Sequence, residues 1–338
     1  MRRLALIVGF GLVACGTDEP PLTDATSLTC GEPGNLPFRL PSTGFRHATN
    51  ANLAKMDPRV KHAAADTIGI AGGANANAFV ADTAMAGTAA PEWDGTMGVT
   101  ATTGGLFSNP IQDEYVSVWT YDGTAWKMLG RDLTDEDGLY NIAGDTVPDG
   151  QPVYSMLEAN GTCAESYDYL FPMGEKVVVT DIDGTLTTSD NELAMEIADP
   201  TYDPALMGHA AELTQAWAMK GYPVIYLTNR PHPVRVESRT WLAGHMFAPG
   251  AVITSNGTST ADVYKTAWLE RMVQTFHWTV VAAYGNAATD ITAYANAGIP
   301  KADTFIVGPL AGSDSTQPID NMDFAQHIQQ FVAAQPSN

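Results

Sequence analysis

Two aspartates stand two positions apart in Thr180-Asp181-Ile182-Asp183-Gly184-Thr185-Leu186-Thr187, directly after the apolar run 176–180. Carboxylates spaced this way at a strand end can share one crevice, where a divalent cation relieves their repulsion and holds a phosphate opposite them. Such a pair can serve as nucleophile and proton donor. Three further places carry compatible chemistry. Thr228-Asn229-Arg230-Pro231 closes a second apolar run and sets a hydroxyl and a guanidinium where strand meets helix, a natural anion site. Lys265 lies on a helical stretch that follows another strand, and Gly285-Asn286-Ala287-Ala288-Thr289-Asp290 offers Asn286 and Asp290 as hard oxygen ligands after a fourth. Taken singly, a DxD turn is weak evidence and the Thr228 turn reads as a helix cap.

These residues need a scaffold that gathers strand ends, and the pattern from residue 175 onward supplies one. Continuous apolar runs at 176–180, 223–227, 251–254, 279–284 and 304–307 alternate with helical periodicity at 205–220, 234–246, 261–276, 289–297 and 324–333. That alternation predicts an α/β fold with a doubly wound parallel sheet over 173–338, whose ligands collect at the carboxyl ends of the strands. Residues 42–172 read differently. Short runs at 67–71, 78–85, 115–121, 125–129, 139–142 and 153–157, several separated by Asp-Gly turns, predict an antiparallel β-sandwich of immunoglobulin-like type. Residues 16–41 are rich in Pro, Gly, Thr and Asp without period and read as a tether; 35–66 are poorly determined.

Taken together and in order, the four strand-end sites resemble those of the haloacid dehalogenase-like phosphatases. Asp181-Ile182-Asp183-Gly184-Thr185 matches the first motif, Thr228 the second, Lys265 the third, and Gly285-Asn286 with Asp290 the fourth. The continuation to Asp190, and Gly-Asn at the fourth motif, is most similar to the lipin and LNS2 group of phosphatidate phosphatases, over roughly 175–308; the preceding sandwich is similar to the module that accompanies this domain. The resemblance implies that Asp181 attacks phosphorus to form an aspartyl-phosphate while Asp183 protonates the leaving oxygen and then activates water. It implies Mg²⁺ held by Asp181, Asp183 through its carbonyl, and Asn286 or Asp290. Thr228 and Lys265 would stabilise the phosphoryl charge, with Gly184, Thr185, Asn229 and Arg230 contacting substrate. About twenty residues separate the first motif from the next expected helix, so the cap is minimal and the site open. The implied substrate is a phosphorylated lipid, phosphatidate before all, or a small phosphomonoester.

The amino terminus adds an address. Arg2 and Arg3 precede ten apolar residues that end in Leu12-Val13-Ala14-Cys15, too short to span a bilayer, and this resembles a bacterial lipobox over 1–15. The resemblance implies cleavage before Cys15, its acylation, and a mature protein anchored on the periplasmic or cell-surface side of a membrane. Cys30 and Cys163 then remain as an even pair in an oxidising compartment; a disulfide is expected, two buried thiols being the other reading. With 338 residues, 17 basic and 38 acidic, the chain has a net charge of −21, which argues against a sequence-independent nucleic-acid binder. Removing Arg2 and Arg3 leaves 15 basic residues against 38 acidic, a net −23, unfavourable toward an anionic lipid surface that the anchor would nevertheless bring close.

Other residues carry two readings each. Arg235 and Arg239 share a helical face that suits either an entrance for an anionic headgroup or a solvated face paired with Glu237. His232 reads as a structural loop histidine, Trp217, Trp241, Trp268 and Trp278 as core, and Asp135-Glu136-Asp137-Gly138 as a hairpin turn. At the level of function the alternative to a phosphatase is a module that senses phosphatidate in the same pocket without hydrolysis. The presence of both Asp181 and Asp183 favours the enzyme.

Overall fold

The computed structural model describes residues 44–51, 63–64, 67–70, 79–80, 92–94, 111–121, 126–136, 139–141, 151–159, 163–199, 201–231, 234–255 and 259–338. The expected leader, Cys15, the whole tether, Cys30, His232 and the Asp137-Gly138 turn lie outside these residues. Among the described residues no helix is long and apolar enough to cross a membrane.

The strands that precede the DxD motif are β1 (Ala63–Ala64), β2 (Thr67–Ile70), β3 (Phe79–Val80), β4 (Glu92–Asp94), β5 (Tyr115–Tyr121), β6 (Trp126–Leu133), β7 (Leu139–Asn141), β8 (Gln151–Leu157) and β9 (Cys163–Phe171). They form a three-stranded sheet, β1-β4-β7, and a six-stranded sheet, β3-β2-β9-β8-β5-β6. The expectation of a purely antiparallel arrangement is corrected at one place: β2 runs parallel to β9, with Thr67 opposite Asp168 through Ile70 opposite Phe171. In β5, Val116, Ser117, Val118 and Thr120 are buried while Tyr115, Trp119 and Tyr121 are only half-buried. Val116 and Val118 pack with Ile111, Tyr140, Val153 and Leu157 in a core of their own. Cys163 is disulfide-bonded, with its partner outside the described residues.

The second half is built around β10 (Lys176–Thr180), β11 (Val224–Pro231), β12 (Gly250–Ser255), β13 (Thr279–Gly285), β14 (Thr304–Val307) and β15 (Gln317–Ile319), all parallel in the order β12-β11-β10-β13-β14-β15. The order reverses direction at β10, the central strand, which opens a crevice at the carboxyl ends of β10 and its neighbours. Valines alternate across β10: Val178 enters one core with Leu213, Trp217, Tyr226 and Trp241, while Val177 and Val179 enter the opposite one with Ile225, Trp268, Leu269 and Trp278. All four tryptophans expected in the core are there.

The α-helices of this half are α1 (Glu192–Ala198), α2 (Ala210–Met219), α3 (Arg235–Gly244), α4 (Ala261–Glu270), α5 (Ala288–Asn296) and a short α6 (Ala325–His327). α4 and α6 each run on into one π-helical turn, Arg271–Thr275 and Ile328–Val332. The helix expected at 205–220 begins five residues late. Its first part is drawn into pairing with the DxD loop, where Thr188 N donates to Ala205 O and Met207 N to Leu186 O, and the chain turns at His209 with φ +55° before α2 begins. Tertiary hydrogen bonds thus override a helical pattern. The N-terminal sheet rests on the second core. Ile68 is buried within it, Tyr169 and Phe171 pack against it, the Phe171 ring meets Trp278 edge-on at 5.5 Å, and Trp278 Nε1 donates to Pro172 O at 2.9 Å.

Candidate functional site

Asp181 follows β10 at the point where the sheet order reverses, and its main-chain N–H donates across to Tyr284 O on β13. Its carboxylate is buried and meets Lys265 from α4, with Nζ 2.8 Å from Asp181 Oδ1. The same Nζ lies 2.6 Å from Asp290 Oδ1, so one buried cation bridges two buried carboxylates. Burial pushes the Asp181 carboxyl up to about 7 against the pull of Lys265, with Asp290 and Asp183 adding to the rise. Burial also works against the charge of Lys265, but Asp181 and Asp290 outweigh it and hold the ammonium above the ordinary lysine range. Asp290 Oδ2 accepts the main-chain N–H groups of Asn286 and Ala287, both at 3.0 Å. With one oxygen on Lys265 and the other on this turn, Asp290 anchors the lysine and caps α5. Gly285 makes room for it, since a Cβ there would fall 2.5 Å from Asp290 Cβ.

Asp183 points elsewhere. Its carboxylate is gripped by Arg230 from β11, with Nε at 3.1 and 3.0 Å from Oδ1 and Oδ2 and Nη2 at 2.8 Å from Oδ1. The DxD loop that carries it is a tight turn. Leu186 N and Thr187 N both donate to Ile182 O, and Gly184 N donates to Thr187 Oγ1 at 3.0 Å. Gly184 has φ +68°, a conformation open to glycine, and a Cβ there would lie 2.1 Å from Asn286 Nδ2 and 2.6 Å from Asp190 Oδ1. Only a hydrogen lets Asn286 close over the loop. Asn286 Nδ2 donates to Asp190 Oδ1 at 3.0 Å, and Thr185 Oγ1 donates to Asn286 Oδ1 at 3.3 Å.

Thr228 is buried within β11, three residues before the strand ends, and its Oγ1 accepts Arg230 N at 3.2 Å; Asn229 beside it is exposed. The four sequence stretches therefore converge as three linked groups: Asp181 with Lys265 and Asp290, Asp183 with Arg230, and Thr185 with Asn286. Three participants were not assigned a role from sequence. Asp190 orients Asn286, Ser238 receives Arg230 Nη1 at 2.9 Å, and Glu196 places Oε2 3.8 Å from the same nitrogen. Asp190 ends the motif run that starts at Asp181 and could have been flagged; Glu196 on α1 and Ser238 on α3 carry no local signal. Burial raises Glu196 against the pull of Arg230. Of the shared face considered for Arg235 and Arg239, the Arg235 end is buried against the N-terminal sheet, while Arg239 is half-buried. Arg235 is buried and its Nη2 donates to Glu165 O on β9, and the Arg239 guanidinium lies 4.2 Å over the Tyr167 ring.

Residues 178–308 match the family model described as PITM 1-3, LNS2 domain. This stretch is LNS2-like. The chain is 32% identical over 191 residues to Protein retinal degeneration B of Drosophila melanogaster, covering 55% of this chain and 14% of that protein. It is 30% identical over 200 residues to Membrane-associated phosphatidylinositol transfer protein 3 of Mus musculus, covering 57% and 19%. It is 28% identical over 204 residues to Membrane-associated phosphatidylinositol transfer protein 1 of Rattus norvegicus, covering 58% and 16%. The chain thus spans less than a fifth of the length of these relatives. A solved Pnkp1/Rnl/Hen1 complex overlaps 35% of this chain and 40% of its own at 21% identity and a TM-score of 0.30, too slight a likeness to argue from.

Proposed function

We propose that the LNS2-like half is a haloacid dehalogenase-like, Mg²⁺-dependent phosphatase that hydrolyses a phosphomonoester, phosphatidate before all, through an aspartyl-phosphate on Asp181. The observation that carries this reading is Lys265 Nζ, buried and 2.8 Å from Asp181 and 2.6 Å from Asp290 at the carboxyl end of the central strand. A lone buried carboxylate would hold a proton and be a poor nucleophile; a paired ammonium favours the ionised form. In the proposed reaction an Asp181 oxygen bonds to phosphorus and the leaving alkoxide departs with the Asp183 proton. Asp183, now ionised, takes a proton from water, whose oxygen bonds to phosphorus as the acyl-phosphate bond breaks. Phosphate leaves and Asp181 is regenerated.

Among the described residues no group of three or more His, Cys, Asp or Glu side chains is set to hold a metal. A mixed oxygen set fits instead: the Asp181 carboxylate, the Asp183 main-chain carbonyl and the Asn286 amide that Gly184 admits. Mg²⁺ retains water and needs few protein ligands, so such a set suffices. Asp290, which holds Lys265 and the turn before α5, is the alternative to Asn286 as the third ligand. When bound, the ion supplies charge neutralisation at the phosphoryl oxygens. Thr228 and Lys265 add donors to the same charge.

A second reading is a phosphatidate-binding module that does not turn over. Two observations favour it: two of the three relatives are named for phosphatidylinositol transfer, and Asp183 is held by Arg230 rather than standing free. The discriminating experiment measures phosphate release by the full chain from phosphatidate in neutral detergent micelles with Mg²⁺, beside a chelator control and Asp181→Asn. Release that needs both ion and Asp181 supports the phosphatase. Flotation with phosphatidate vesicles but no release supports the binding module. Release from glycerol phosphate but not phosphatidate moves the substrate class to soluble phosphomonoesters. The export signal, the Cys15 anchor and the periplasmic or cell-surface address belong to the same proposal, and a mass measurement of the purified amino terminus tests them.

A further inference from the structure

The side chain of Arg230 is fully buried, and its donors are directed at protein groups. Nε and Nη2 fork onto Asp183, while Nη1 reaches Ser238 Oγ at 2.9 Å and comes within 3.8 Å of Glu196 Oε2. Ser238 gives its own proton to Val234 O at 2.9 Å, one turn back in the helix, which leaves oxygen lone pairs for Nη1. A phosphate seated on this guanidinium would have to displace Asp183. We propose that Arg230, assigned from sequence to substrate contact, is instead the positioning residue for the Asp183 carboxylate, and that the N-terminal sheet takes part in this through one face of α3.

That face carries Arg235, Ser238 and Arg239 at spacings of three and four, so the three side chains lie together. On one side Ser238 holds Arg230. On the other, Arg235 Nη2 donates to Glu165 O and Arg239 covers the Tyr167 ring at 4.2 Å, both on β9. Tyr167 is itself fixed by a hydrogen bond from its hydroxyl to Glu165 Oε1. The helix is thus pinned from the N-terminal sheet at two points that straddle the serine. A shift of α3 along β9 would carry Ser238 with it and slacken the arginine that aims the acid. The N-terminal sheet acts in this way on proton transfer without touching substrate.

The proposal rests on the phosphatase reading for its kinetic arm and on geometry alone for its second. In the first arm, Ser238→Ala and Tyr167→Leu in the full chain are assayed on phosphatidate, whose alkoxide must be protonated to leave, and on p-nitrophenyl phosphate, whose nitrophenolate need not be. Ser238→Ala should lower kcat on phosphatidate by about tenfold or more, a fraction of what general acid catalysis supplies, with little change in KM and a much smaller loss on the aryl ester. Tyr167→Leu should shift the same ratio in the same direction. Equal losses on both substrates, or a rise in KM alone, would overturn the proposal in favour of a substrate contact. In the second arm the Tm values of Asp183→Asn, Ser238→Ala and the double variant are compared. Non-additive losses are expected for members of one network, and strict additivity would overturn the proposal. If the wild type hydrolyses neither ester, the phosphatase reading fails while this cycle still decides the positioning.

Discussion

At the scale of single residues the site depends on small clearances. Gly184 combines φ +68° with an Asn286 amide that a methyl group would meet at 2.1 Å. Gly184→Ala should therefore cost about 1–3 kcal/mol of stability through strain and overpacking, and reduce phosphate release sharply because Asn286 must withdraw. Chemical denaturation and the micelle assay check both, and an alanine variant with unchanged activity would contradict the role given to Asn286. Lys265 presents the opposite case, a group whose removal leaves charge behind. Lys265→Met strands Asp181 and Asp290 as neighbouring buried carboxylates, and breaking such a cluster costs about 3–5 kcal/mol. In that variant the Asp181 carboxyl, raised by burial even with Lys265 beside it, loses the cation that holds it down, so the variant's stability should recover as pH falls toward 5. A variant whose deficit is the same at pH 5 and pH 8 would contradict the proposed pairing.

Among the elements, β13 is tied to the C-terminal segment by a short buried chain of donors. Trp217 Nε1 donates to Tyr284 Oη, which is in turn hydrogen-bonded to His327 Nε2, each at 2.8 Å. Burial holds His327 below the usual imidazole range, at about 4. Because the folded-state value lies below the unfolded one, the stability this group contributes is complete above pH 6.5, falls from there to about pH 4, and then levels off. The loss should reach about 2–3 kcal/mol. His327→Gln retains an acceptor and does not titrate, so its denaturation midpoint should fall less than that of the wild type between pH 7 and pH 4.5; identical curves would remove His327 as the cause. How far each element can be read from sequence follows from what holds it. Strands β10, β11, β12, β13 and β14 are buried on both faces and show themselves as continuous apolar runs. By contrast, β9 mixes Glu165, Tyr167, Asp168 and Tyr169, with Tyr167 met by Arg239 of α3 and Tyr169 packed on the second core, and it shows no clean alternation. β15 contains Pro318, which a central strand would exclude but an edge strand such as this one tolerates. The seven-residue α1 is too short for periodicity, which is why Glu196 went unassigned, and the start of α2 was set by pairing with the DxD loop. Asp181, Asp183, Arg230 and Asn286 were legible because strand ends concentrate them, and Lys265 from its place on the helix that follows a strand; Ser238 acts only through Arg230, and such contacts have no signature along the chain.

For the whole molecule, the charge of −21 would set how it meets the proposed lipid surface. An acidic protein is repelled by anionic headgroups over a Debye length of about 30 Å at 0.01 M salt and about 10 Å at 0.1 M. Turnover of phosphatidate in anionic vesicles should therefore rise as salt increases over that range, the reverse of a basic peripheral enzyme. A fall would indicate a basic docking surface and contradict this account. The packing of Ile68, Tyr169 and Phe171 against the second core joins the N-terminal sheet to the LNS2-like half. Trp278→Ala, which removes the ring facing Phe171, should cost about 3–5 kcal/mol. The central claim, however, is chemical, namely that Asp181 becomes covalently bonded to phosphorus. The most direct measurement is rapid acid quenching of the full chain during turnover of phosphatidate labelled in its phosphate, with Mg²⁺, beside Asp181→Asn. This account predicts label on the peptide that contains Asp181, released by hydroxylamine and absent from the variant. Hydrolysis that survives in Asp181→Asn, or label found on another residue, would contradict it.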